Sequence, residues 1–340
     1  MQNTPKISIL MPCFNVEKYV AEAIESMLNQ TFGNFELLIL DDCSTDRTAE
    51  IVKSFADKRI VYHKNETNLG LSENLNVGIR LAKGEYIARM DGDDISVPER
   101  LEKQAAVLEK HPEIDICGAG FKWFGTRTST VFHPKNHEEI KAQMLFGCPV
   151  IIPIFRKNVI IENNLWYRTS AFPAEDYMFW AECVRVAKIY NIQEILFYYR
   201  MHESQISTEK HAIQIQKSNE VKLFVLNYLN PNFTEKEKRY FLEQFACSKI
   251  ENKADLTQFK QFAKLLEQKN NELKNFNAKV LHKKLRNHIK GAMYAFSLKK
   301  YFENGYNLKH FFLYLLSGNI FYIHFKLNIK ILAKSTLNKK

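Results

Sequence analysis

Four strand-like runs, spaced by helices, constrain this chain more than any other feature of it. Residues 6–11, 35–40, 59–63 and 85–90 read as strands, and the second is so apolar that both its faces must be covered. Between them lie helical patterns over 16–29, with Val20, Ile24, Met27 and Leu28 on one face, over 48–56 and over 71–82. Lys83-Gly84 reads as the end of the third helix, with Gly at the C′ position. This alternation predicts an α/β fold built on a doubly wound, mostly parallel sheet. Such sheets bind ligands outside the carboxyl ends of their strands. Polar residues recur at those ends: Asn15, Asp42, Asn68, then Asp91 and Asp93.

The run Asp91-Gly92-Asp93-Asp94 is the densest of these ends. Packed carboxylates repel one another unless a cation or a donor network offsets the repulsion. A divalent metal carrying a diphosphate would do so, because Mg²⁺ or Mn²⁺ takes one or two carboxylates plus phosphate oxygens. Gly92 would let the backbone turn and approach a ligand closely. An acidic loop capping the helix that starts near Pro98 accounts for the same residues without any ligand. No G-x-G-x-x-G follows the first strand and no G-x-x-x-x-G-K-[ST] occurs, so the usual dinucleotide turn and the P-loop are both missing.

Further along, 98–110 reads as a helix, 114–119 as a strand, and 121–125 as a turn into an irregular region. The aromatics of 121–125 suit either a sugar-stacking surface or plain core. A helix opens near Phe172 and is expected to run to about residue 189, with Asp176 in its first turn. An acid there favours the helix dipole, and it could equally point into a cleft as a general base. A final strand, 192–199, ends in Tyr198-Tyr199-Arg200-Met201-His202.

Four ordered blocks carry a resemblance that covers residues 6–205. They are SILMPCFNVEKYVAEAIESMLNQTF, ELLILDDCSTDRTAEIV, NETNLGLSENLNVGIRLAKGEYIARMDGDD and AEDYMFW, and together they resemble glycosyltransferase family 2. The resemblance implies a GT-A fold and a nucleotide-sugar donor, by default a UDP-sugar. It implies that Pro12, Phe14, Asn15 and Asp42 hold the nucleotide base, with Asn68 a further nucleotide contact. Asp91 and Asp93 would meet the ribose and the metal-bound diphosphate. Asp93 and His202 would hold Mn²⁺ or Mg²⁺, with Arg200 nearby for phosphate charge, and Asp176 would be the base of an inverting transfer. The segment 148–157 departs from the family pattern, with Ile152 where a His often stands.

From about 206 the composition turns Lys-, Glu-, Asn- and Phe-rich, predicting a GT-A domain over 1–205 and a helical, basic region over 206–340. Residues from Leu281 onward hold 12 Lys or Arg and one acid, an excess of +11 in a chain whose net charge is +10. The stretch 311–325 is apolar and aromatic but shorter than the ~20 residues a membrane span needs, which suits a helix lying on an anionic lipid surface. A basic face packed on the rest of the protein is the other reading of the same residues. Six dispersed Cys and no apolar leader point to reduced thiols and a cytoplasmic protein, with the tail on the inner face of the membrane. The expected partners are a nucleotide-sugar donor and a glycan or lipid-linked glycan acceptor, in cell-surface polysaccharide or lipooligosaccharide synthesis, and no nucleic acid. Two other function classes fit parts of the chain. A metal-dependent, phosphatase-like hydrolase would use the D-x-D, but it wants Thr or Val two positions beyond, and Ile95 stands there. A nucleic-acid-binding protein would use the basic tail, but the preceding 280 residues sum to −1.

Overall fold

The computed structural model describes residues 4–303 apart from Arg127 and Ser204. The stretch 311–325 and the basic residues beyond it lie outside the described residues. The chain divides after Val225 into two compact units.

The first unit is built on strands β1 (Ile7–Cys13), β2 (Phe35–Asp41), β3 (Ile60–Lys64), β4 (Tyr86–Arg89), β5 (Ile95–Ser96), β6 (Ile116–Gly125), β7 (Ser129–Val131), β8 (Ile154–Arg156) and β9 (Ile189–Met201). Its helices are α1 (Val20–Leu28), α2 (Thr48–Ser54), α3 (Leu71–Leu81), α4 (Arg100–Lys110), α5 (His137–Gln143), α6 (Lys157–Glu162) and α7 (Glu175–Cys183). Among the described residues these strands form one sheet in the order β3-β2-β1-β4-β8-β6-β9-β5, with β7 on β6. The pairs β3–β2, β2–β1 and β1–β4 are parallel, as expected. Beyond β4 the sheet is mixed: β8 runs antiparallel to β4 and β6, while β6 and β9 run parallel.

Alternation along β1 explains why its half of the sheet is covered on both faces. Ile7, Ile9 and Met11 join Val20, Ala23, Ile24 and Met27 of α1 in one core. Leu10 and Leu40 face the other way, toward α3, where a Cβ on Gly78 would lie 2.5 Å from Leu40 Cδ1. Burying one such Leu or Ile stabilises by about 1.5–3 kcal/mol, which is why these strands read as unbroken apolar runs.

The structure corrects four expectations. Residues 121–125 are not a turn: they continue β6, because Phe121 to Gly125 pair in parallel with Phe197 to Met201. Helix α1 starts at Val20 rather than 16, after a turn in which Asn15, Val16 and Glu17 donate backbone N–H groups to Ser44 Oγ, Thr48 Oγ1 and Asp46 Oδ2. Helix α7 stops at Cys183, and residue 189 begins β9 instead of ending a helix. Gly84 is not the C′ residue, since Ala82 is the C-cap of α3. Gly84 is required because a Cβ there would meet Ser8 N of β1 at 2.6 Å.

Past Ile206–Glu209 (α8) comes α9 (His211–Leu229), whose last residues enter the second unit. There follow α10 (Glu235–Tyr240), a π-helical turn at Phe241–Phe245, α11 (Lys253–Leu273) and α12 (Ala278–Glu303). Capping boxes start α10 and α11, through Thr234 with Glu237 and Asn252 with Asp255. The aromatics spaced at helical intervals make its core, where Phe245 lies 4.4 Å from Phe259 and 5.1 Å from Phe262 between ring centroids. Among the described residues no helix is long and apolar enough to cross a membrane.

Candidate active site

The chain leaves β1 on one side for β2 and returns through α3 to β4 on the other, so the order reverses between β1 and β4. A ligand crevice belongs at such a point, outside the strand carboxyl ends. The residues singled out on the first two strands collect there. Pro12 is buried in β1, whereas Phe14 and Asn15 stand exposed beyond it. Asn15 takes a left-handed φ of 52°, which Asn tolerates, and its Oδ1 accepts the Thr45 N–H at 2.9 Å. Asp42 Oδ1 accepts from Asn65 Nδ2 and Leu69 N, each at 2.8 Å, and Oδ2 accepts Gly70 N at 2.8 Å. A carboxylate offers about four acceptor sites, so Asp42 organises the 65–70 loop and keeps room for one more donor. Asn68 reaches back to the Asp42 carbonyl at 3.2 Å. Its neighbour Asp41 is fully buried and spent on Ser44 N and the Tyr62 hydroxyl.

The acidic loop follows β4. Asp91 is held by Arg89, with Nε 3.0 Å from Oδ1 and Nη2 3.4 Å from Oδ2. Asp93 Oδ2 lies 3.1 Å from His202 Nε2, so the D-x-D and the end of β9 do come together. Asp94 points inward and is 1% exposed, its Oδ1 accepting Arg200 N at 2.7 Å. Arg200 also donates to the Asp93 carbonyl at 2.7 Å and to Glu22 of α1. Its guanidinium is thus engaged by the chain itself, packed between the Tyr19 and Phe124 rings. Burial pushes the Asp93 carboxyl up, with Asp91 adding to the shift and His202 opposing it. Burial likewise pushes Asp94 well up, reinforced by Asp93 and Asp91. Gly92 does not adopt a left-handed backbone; it is needed because a Cβ would lie 2.9 Å from Cys13 Sγ beneath the loop.

Among the described residues no group of three or more His, Cys, Asp or Glu side chains converges as a metal cage. Asp93 and His202 form an adjacent oxygen and nitrogen pair at the mouth of the crevice. That pair fits a divalent ion completed by phosphate oxygens, which needs only one or two carboxylates from the protein.

Helix α7 supplies a second acidic wall, whose charges act on Arg89. Asp176 is half-buried and its Oδ1 accepts the Tyr177 N–H at 2.6 Å. Burial raises the Asp176 carboxyl, and Arg89 is the chief group pulling it back. Glu175 is 5% exposed and is pushed up to about 7, by burial first and then by Asp176, with Arg89 opposing. A folded-state value above the ordinary 4.5 means that the folded chain keeps a proton which the unfolded chain releases. The stability of the protein is therefore expected to fall as pH rises from 4.5 to about 7, by on the order of 3 kcal/mol from this group. Glu175→Gln should flatten that slope in thermal melts taken across the window; an unchanged slope would assign the proton elsewhere.

Several neighbours of these candidate residues carried no sequence signal strong enough to single them out. Arg89 is one, a charge on the last residue of a buried strand. Arg100 is another: fully buried, it donates to the Arg89 carbonyl at 2.6 Å and the Ile152 carbonyl at 3.2 Å. Burial lowers its guanidinium to about 9, against the pull of Asp91 and Asp94. Ile152 has a left-handed φ of 42°, rare for a β-branched residue and costing on the order of 1–3 kcal/mol. Arg100 and Gln104 hold its carbonyl and so hold that conformation. Tyr199 is the last: its ring packs 4.5 Å from Trp123, and its hydroxyl is raised by burial and by Asp94, Asp91, Asp93 and Asp176. It therefore stands among the acids of both walls.

Known proteins resemble this chain in sequence and in fold. The model of glycosyl transferase family 2 matches residues 8–170. An uncharacterized glycosyltransferase of Haemophilus influenzae is 34% identical over 243 residues, covering 67% of this chain and 75% of the relative. The putative glycosyltransferase EpsE of Bacillus subtilis is 34% identical over 239 residues, covering 66% and 82%. Among solved structures, residues 1–349 of Staphylococcus aureus TarS in complex with UDP-GlcNAc superpose with a TM-score of 0.58 at 22% identity, over 88% of this chain and 92% of that one. The mannosyltransferase PcManGT of Pyrobaculum calidifontis, with GDP-Man and Mn²⁺, superposes with a TM-score of 0.51 at 12% identity, over 100% and 89%. The expected GT-A fold is borne out, neither the hydrolase nor the nucleic-acid reading is favoured, and the chain belongs to glycosyltransferase family 2.

Proposed function

We propose that the protein moves a sugar, a hexose or an N-acetylhexosamine, from a nucleotide-sugar donor to a hydroxyl of a glycan or lipid-linked glycan, with inversion at the anomeric carbon. The observation that carries this reading is the pairing of two acidic walls on one arginine. The D-x-D loop with His202 stands on one side and Glu175-Asp176 on the other, and Arg89 interacts with both. Pro12, Phe14, Asn15, Asp42 and Asn68 line the rim where the base and ribose would lie, and the acceptor site of Asp42 left by its loop suits an N–H of a base. UDP is the default nucleotide; TarS with UDP-GlcNAc and PcManGT with GDP-Man support a nucleotide sugar as the donor class.

The bond to the diphosphate breaks with negative charge developing on the leaving group. Mn²⁺ or Mg²⁺ held by Asp93, with His202, would supply Lewis-acid stabilisation of that charge. Asp91 would hold the ribose, and Asp176 would take the acceptor proton as the hydroxyl attacks. The basic residues of 281–340 suit an acceptor carried at an anionic membrane surface, where each Lys or Arg adds ~1 kcal/mol. In this reading the transfer belongs to polysaccharide or lipooligosaccharide assembly on the cytoplasmic face of the membrane.

A thermal-shift panel of UDP-, GDP-, dTDP- and CMP-sugars with and without Mn²⁺ tests the reading. The correct donor is expected to raise the apparent stability by ~2.7 kcal/mol at 100-fold over Kd, and only with the metal present. No response to any nucleotide sugar would overturn it.

A further inference from the structure

Arg89 is a cation whose charge meets both the D-x-D loop and the acids of α7. It occupies the last position of β4, its side chain is 13% exposed, and its fork grips both oxygens of Asp91. Its backbone is fixed as firmly. The Arg89 N–H donates to the Pro153 carbonyl at 3.3 Å, and its carbonyl accepts from the buried Arg100. The main chain from which its side chain springs is thus held in the sheet. On the far side its charge meets Glu175 and Asp176 from α7 and the Tyr167 hydroxyl. Burial opposes the guanidinium charge, yet Asp91, Tyr167, Glu175 and Asp176 outweigh it. An arginine fork is always charged and matches a carboxylate with two bonds, which a lysine does not.

We infer that Arg89 is the positioning residue of this site: it orients Asp91 toward the nucleotide and holds a fixed positive charge against Asp176. This rests on the reading of Asp176 as the base. The groups facing Asp176 are Arg89 from β4, Asp91 from the loop after it, Glu175 beside it on α7, Cys148 ahead of β8, Tyr167 ahead of α7 and Tyr199 from β9. Arg89 is the only one of the six that is positively charged. Without it, Asp91 and Glu175 would face Asp176 with only backbone N–H groups, chiefly that of Tyr177, to favour its ionised form, and an acceptor proton would be taken at higher pH.

The test uses the full chain, with donor turnover read as nucleotide released across a pH series and UDP affinity read by calorimetry. Arg89→Met is expected to move the acidic limb of kcat to higher pH, so that its loss relative to the parent is roughly tenfold greater at mildly acidic than at alkaline pH. Its UDP affinity should also fall, since Asp91 loses its tether. Arg89→Lys keeps a charge but not the fork, so the limb should stay while UDP affinity falls. A loss of equal size at every pH in Arg89→Met, with UDP affinity unchanged, would make the residue merely structural and overturn the inference. Should Arg89→Met not fold, Arg89→Lys decides, because a limb that moves there, or UDP affinity that does not fall, overturns it as well. Asp176→Asn run in parallel separates the two failures. If it keeps the parent kcat, the base assignment falls and this inference with it; if it loses kcat while the Arg89→Met limb stays put, only the role of Arg89 falls.

Discussion

Replacing Asp93 by Asn is expected to abolish metal-dependent donor turnover, a loss of at least ~10²-fold, while leaving the fold intact. The side chain is 23% exposed at the mouth of the crevice and touches His202 Nε2, a contact an isosteric amide can keep. Burial and the neighbouring Asp91 already work against its charge, so the substitution removes a strained ion rather than a supporting one. What it does remove is the anionic oxygen on which Mn²⁺ or Mg²⁺ would sit, and with it the charge stabilisation of the leaving diphosphate. Calorimetry with UDP and Mn²⁺ should show the metal-dependent part of the affinity gone, and thermal melts should show a stability no lower than the parent. Unchanged affinity and rate would sink the D-x-D assignment.

Asp176→Asn is expected to lower kcat by ~10²–10⁴ with little change in donor affinity. The reason is location: Asp176 sits on α7, not on the strand ends that would hold the nucleotide, and would handle the acceptor proton alone. An interaction made only in the transition state shows itself in kcat and kcat/KM together, not in ground-state binding. The parent rate itself should decline toward acidic pH, because burial raises this carboxyl and only its ionised form takes a proton. The anomeric configuration of the product, read by NMR, gives an independent check. Inversion is the expected result; a retained centre would rule out single displacement even if Asp176 proved essential, since double displacement requires a second carboxylate as nucleophile.

The sequence alone determined the parallel half of the sheet, because buried strands and amphipathic helices leave local, periodic marks. The runs at 6–11, 35–40 and 85–90 became β1, β2 and β4, and the polar residues at their carboxyl ends share one rim. The pairing of Asp93 with His202 was legible too, though only through the resemblance of four ordered blocks, since the two lie 109 residues apart. What periodicity could not show was the mixed half. Residues 121–125 look like a turn because Gly125 ends them and Lys122 interrupts them. They are a strand because β9 runs alongside and satisfies their backbone groups, a long-range pairing with no local signature. The roles of Arg89, Arg100 and Tyr199 were decided by tertiary structure for a similar reason. Each is an ordinary residue in its own segment, and acquires a role only from the groups that folding brings around it: Asp91 and α7 around Arg89, the Arg89 and Ile152 carbonyls around Arg100, and both acidic walls around Tyr199. Even Gly92 and Gly84 owe their identity to contacts from β1, at Cys13 Sγ and Ser8 N, and not to the turn conformations their positions suggest. Local chemistry is written in neighbours along the chain, whereas the field at a side chain depends on neighbours in space, and only the folded sheet supplies those.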